Sequence, residues 1–190
     1  MPFVNSANES EQPDVDLYFP SARYPVTVGP VMRTRKWRGG VFVQYITSTL
    51  WDWTVEISDG NFAAGCILFP SENYALSPPY GTGPGSNANW TSGQPGTGVG
   101  GQNVVTMFAD NTRAMFKVYE TRRLVAGLRT GAPITYVLNE DVKVSENGIL
   151  CNDSDVDLLT VGITTPQTVG IVSALPATRT NNRLGVDVRF

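Results

Sequence analysis

Residues 131–175 restrict the fold more than any other part of the chain, because short β-branched runs alternate there with residues that interrupt regular structure. Residues 133–138, 141–144 and 149–151 each read as a strand, with Glu146-Asn147-Gly148 as the turn between the last two. Asn-Gly favours a tight hairpin, since both central positions of that turn take φ > 0. Residues 156–163 and 169–172 supply two more strands, separated by Thr164-Thr165-Pro166-Gln167, a break no helix tolerates. Acids crowd the turns: Glu140, Asp141, Glu146, Asp153, Asp155 and Asp157 are opposed in this segment only by Lys143. Residues 152–157 place carboxylates at alternate positions, as a calcium loop does, but the glycine and the closing glutamate of such a loop are missing. A solvated acidic turn is expected, with no metal and no cofactor.

The rest of the composition agrees with an all-β chain. Nineteen glycines and thirteen prolines in 190 residues disfavour helices, and Val, Thr and Ile fill the periodic runs. Charged residues make up only 16%, against roughly 25% in ordinary soluble domains, so much of the exterior is expected to meet other protein. The net charge of −3 argues against a nucleic-acid coat. No apolar run reaches the roughly 18 residues of a membrane span, and no secretory leader is evident, so a soluble, unprocessed chain is expected. There is no histidine, which removes Ser-His and Cys-His nucleophilic pairs, His-ligated metals and imidazole acid–base chemistry. Cys66 and Cys151 sit beside apolar residues and read as buried thiols, although spacing alone leaves a disulfide open.

Along the chain, residues 1–22 read as an extended N-terminal arm. Its first twenty residues carry four acids, no base and five apolar anchors: Phe3, Val4, Leu17, Tyr18 and Phe19. Residues 23–190 read as a single small antiparallel β-barrel or sandwich domain. Residues 24–32, with Pro25 and Pro30, suggest an edge segment. Arg33, Arg35, Lys36 and Arg38 then surround Trp37, a cluster suited to a salt-sensitive contact with an acidic protein surface, including the acidic arm of a sister subunit. Residues 41–46 and 50–57 are strongly strand-like. In the second, Trp51, Trp53, Val55 and Ile57 share one face, which reads as core, or alternatively as a platform for sugar rings. Residues 81–101 hold eight glycines and no charge, a Gly-rich loop insertion with Trp90 as a contact point. Residues 104–108 and 114–119 return to strand, and residues 121–129 fit a short helix or a strand. Residues 184–190 alternate Leu184, Val186, Val188 and Phe190 on one face, as a terminal strand docked in a sheet would.

At Gly148-Ile149-Leu150, followed by Val161-Gly162-Ile163 and the run from Val169 through Gly170, Ile171, Val172, Ser173 and Ala174 to Leu175, the chain resembles the head decoration, or cement, proteins of tailed bacteriophages. The resemblance spans about residues 131–175. It implies a small β domain on the outside of an icosahedral head, commonly trimeric, clamping neighbouring major capsid subunits, with an arm added to the capsid sheet and no catalytic residues. On that reading the protein is made in the host cytoplasm and resides on the outer surface of the capsid. It has no nucleic-acid or membrane partner, and it contacts the capsid through the arm residues, the four bases and Trp90. The alternative is a carbohydrate- or receptor-binding β-sandwich, such as a viral tail module, using Trp51, Trp53 and Trp90. A carboxylate-dependent glycosidase is a third reading, for which no acid pair can be named.

Overall fold

The computed structural model of the chain describes residues 15–17, 23–33, 35–49, 52–68, 104–123, 125, 128–152, 166–176 and 182–190. Among these the secondary structure is almost wholly β. The strands are β1 (Val15–Leu17), β2 (Arg23–Val28), β3 (Phe42–Thr49), β4 (Asp52–Ile57), β5 (Gly65–Ile67), β6 (Val104–Phe108), β7 (Thr112–Phe116), β8 (Asp141–Val144), β9 (Leu150–Asn152), β10 (Thr168–Ala174) and β11 (Leu184–Val188). One helical turn, α1 (Pro30–Arg33), follows β2.

Five strands close a barrel in the order β2-β4-β3-β5-β6, and the other six form an antiparallel sheet in the order β1-β7-β11-β10-β8-β9. Barrel closure leaves β2 no free edge. The expected edge segment is therefore an internal strand, paired with β6 from Arg23 to Thr27 and with β4, in parallel, at Thr27 and Val28. Pro25 is tolerated because it precedes the point at which β4 joins, so its missing N–H is needed on one side only.

One cluster of buried side chains runs through both sheets. Phe42 of the barrel stacks on Phe116 of the sheet at 5.9 Å between ring centres, and Phe190 lies 6.0 Å from Phe42 and 5.8 Å from Phe108. The terminal alternation is realised: Leu184, Val186 and Val188 are buried in β11, which lies between β7 and β10. The 141–152 hairpin also forms, with a different turn. Ser145 and Ile149 bound a three-residue loop in which only Gly148 has positive φ, 71°, and the Gly148 N–H donates to the Ser145 carbonyl at 2.9 Å. This is a type I turn closed by a glycine bulge, which needs one left-handed residue instead of two.

Two readings of the sequence are corrected. Residues 133–138 form no strand; Pro133 makes one isolated bridge to Arg122, and the Ile134 N–H donates to the Thr121 carbonyl at 3.0 Å. Proline removes a ladder donor at its start, and the segment instead closes an irregular hairpin with residues 121–123. The described residues between 121 and 129 are not helical: the Arg123 N–H donates to the Ala132 carbonyl at 2.9 Å, and Val125 and Leu128 form an isolated antiparallel bridge. The stretch 15–17 within the expected arm is strand β1, with Val15 buried opposite Phe116 and Asp16 ion-paired to Arg183 at 2.9 Å. Residues 81–101 and 156–163 lie outside the described residues.

Candidate functional site

A cap made in the barrel fixes where the basic cluster points. Glu56 on β4 accepts from the Val31 N–H at 2.8 Å and the Met32 N–H at 2.6 Å, satisfying donors that open the α1 turn. The chain leaves that turn through residues 35–38. Arg35, Lys36 and Arg38 face outward, while Trp37 turns inward and is only 4% exposed. Gly40, at φ 93°, then brings the chain back so that its N–H reaches the Ile67 carbonyl at 2.7 Å.

Opposite this stretch stand two other pieces. The β8–β9 turn is locked to the barrel by the Phe42 N–H, which donates to the Gly148 carbonyl at 2.7 Å. The 121–134 hairpin is held by Glu120, which is fully buried. Its carboxylate receives Arg129 in a two-toothed ion pair and the Ser145 hydroxyl at 3.0 Å, and its backbone carbonyl accepts from the Tyr136 hydroxyl at 2.7 Å. The hydrogen bond to Glu120 holds the Arg129 guanidinium above its usual pKa. Burial, with Cys151 and Glu120 nearby, pushes the Tyr136 phenol far above its ordinary value.

Between these pieces lies a groove of about 670 Å³. Val41, Ile57, Val118 and Ile149 supply apolar lining, and Leu128 stands at it 64% exposed. Among the described residues, Arg35, Lys36, Arg38 and Arg129 supply positive charge against Glu146 in the lining and Glu120 behind Arg129. The buried indole N–H of Trp37, also in the lining, has no acceptor. Such a surface suits an acidic ligand with some apolar bulk. It offers cations, and among the described residues no group of three potential metal ligands occurs.

The structure thus brings Arg35, Lys36 and Arg38 together around one groove. Leu17 is elsewhere, half-buried against the core in β1. Phe3, Val4, Tyr18, Phe19, Trp51 and Trp90 lie outside the described residues, as does the side chain of Arg33. Trp53 departs from its reading as core: it is 43% exposed, meeting Tyr45 edge-on at 6.3 Å. The cause is local, since β2 pairs with β4 only at Thr54 and Val55 and leaves Trp53 uncovered on that side. Sequence reasoning missed Arg129 and Leu128. Their nearest signal was the arginine-rich run 122–129, whose partner strand could not be read from composition. Comparison with protein-family models, with curated proteins and with solved structures gives no match for this chain.

Proposed function

We propose that the chain is a non-enzymatic structural protein of a virion, which binds the outside of an icosahedral phage head as a homotrimer and stabilises contacts between major capsid subunits. The observation supporting this reading most directly is the surface of residues 121–149. Val125, Leu128, Val137 and Leu138 are 49–64% exposed there, and the cationic groove opens beside Leu128. Exposed apolar side chains next to positive charge are the composition of an interface, with burial providing affinity and charge providing orientation. Light scattering on the purified chain followed by co-sedimentation with emptied heads of the encoding phage tests it. A trimer that pellets with heads and raises their resistance to heat is expected, and Leu128→Asp with Leu138→Asp should abolish pelleting while leaving the circular dichroism spectrum intact. A monomer that stays in the supernatant refutes the reading.

Trp53 favours a second reading, a carbohydrate- or receptor-binding module, because a half-exposed indole braced by Tyr45 offers a flat face to a sugar ring. Glycan-array binding lost in Trp53→Ala would support it, and an array without signal would remove it.

A further inference from the structure

We propose that the groove receives the turn of residues 137–141 from a second copy of the chain, so that copies join knob to groove. This contact is the one behind the proposed homotrimer; it rests on that reading for self-association and on nothing of the capsid.

The turn is rigid and presents apolar side chains. The Glu140 N–H donates to the Val137 carbonyl at 3.2 Å and the Val137 N–H to the Glu140 carboxylate at 3.0 Å, so the turn closes on itself. Two further bonds clamp it to β10: the Asn139 N–H donates to the Val172 carbonyl and the Val172 N–H to the Glu140 carbonyl, each at 2.9 Å. Asn139 is left-handed, at φ 66°, and among the described residues no other non-glycine residue has positive φ. Asparagine adopts that conformation at a cost, and the clamp holds it there. On this fixed backbone Val137 and Leu138 are exposed, and so is Asp141 beside them. A backbone already ordered loses little entropy on binding. The groove is the complement. Its volume of about 670 Å³ lies within the roughly 300–1,000 Å³ of cavities that hold small ligands. Val41, Ile57, Val118 and Ile149 line it with apolar surface, and Arg35 and Lys36, both exposed, line it with charge. Val137 and Leu138 bring apolar bulk and Asp141 a carboxylate, so one short segment answers both kinds of lining. Residues 137–141 do not line the groove of their own copy, and the clamp ties them to β10. The turn that enters the groove therefore comes from another copy.

Turn and groove are different patches, so the contact runs head to tail and closes into a ring of three in the proposed assembly. Two full-length variants each remove one half of it. Leu138→Asp/Asp141→Lys keeps the groove and loses the turn's chemistry, and Arg35→Asp/Lys36→Asp keeps the turn and loses the groove's exposed cations. All four positions are exposed, so circular dichroism spectra and urea midpoints should match the parent's. By light scattering the parent is expected to be a trimer. Each variant alone is expected to be a monomer, its self-association weakened about tenfold or more by an unlike pair made like or an apolar contact made charged. A mixture of the two variants retains one intact contact, the turn of one chain in the groove of the other, and should form a heterodimer where neither variant alone associates. A trimer that persists in either variant overturns the inference and leaves the homotrimer reading standing, whereas a monomeric parent overturns both. Variants that dissociate but form no heterodimer on mixing also overturn the inference.

Discussion

Replacing Gly148 by alanine tests how the hairpin is joined to the barrel, and Gly40 provides an internal control. Both residues have positive φ, 71° and 93°, so alanine at either one carries the left-handed penalty of about 1–2 kcal/mol. Their surroundings differ. A Cβ on Gly40 would meet its nearest neighbours, Phe116 and Val15, at 3.4 Å, which is ordinary contact. A Cβ on Gly148 would sit 2.6 Å from a methyl of Ile57 and 2.8 Å from the Phe42 carbonyl oxygen. The carbonyl belongs to a strand held on both sides, so the turn must lift, straining the bond from the Phe42 N–H to the Gly148 carbonyl. Overpacking of this kind adds about 1–3 kcal/mol. Gly148→Ala should therefore cost about 2–5 kcal/mol, and Gly40→Ala about 1–2. For a chain of this size each kcal/mol lowers Tm by about 2–4 °C. Urea unfolding of the two variants reads the difference as a shift in midpoint at constant slope. If Gly148→Ala is no less stable than Gly40→Ala, the seam is not where the structure places it.

Three other outcomes follow from the same geometry. Glu120→Ala leaves the Ser145 hydroxyl buried without its acceptor and frees Arg129, which is half-exposed and can rehydrate; a loss of about 2–3 kcal/mol in urea unfolding is expected, with rapid proteolysis in the 121–134 hairpin. Burial raises the pKa of Cys66, and burial with nearby Cys151 and Glu120 raises that of Tyr136. The folded chain then holds at these two groups protons that the unfolded chain releases, so their contribution to stability should be constant below about pH 8.5. It should decline above that as unfolded Cys66 ionises, and more steeply above about pH 10 with Tyr136. Cys66→Ala should remove the first decline in a pH series of urea midpoints. Phe190→Ala removes a half-buried ring packed on Phe42 and Phe108 and should cost about 2 kcal/mol by the same measurement.

What could be read in advance was whatever depends on local alternation. β6, β8 and β11 stand within two residues of their expected limits, because each pairs alternating β-branched residues with a turn signal next to it. What could not be read depends on pairing between distant strands. The parallel contact of β2 with β4 converts an apparent edge into barrel wall, and it also ends too early to cover Trp53. A two-residue period in β4 says which side chains share a face, but not how far the neighbouring strand extends. Trp37 shows the complementary failure. Surrounded by arginine and lysine it looks like a surface residue, yet the Glu56 cap sets a turn that points the ring inward and its charged neighbours out.

The groove's framework and its charge are consequently separable by mutation. Trp37 and Ile57 belong at once to the groove and to the joint between barrel and hairpin, so a change there alters stability and binding together. Arg35 and Lys36 are exposed, and their removal should leave folding within about 0.5 kcal/mol of the parent, as for surface positions without structural partners. Loss of binding in Arg35→Gln/Lys36→Gln at unchanged stability would therefore report charge recognition alone. Binding that follows stability across all of these variants would mean that the groove is only a crease left where two β structures meet.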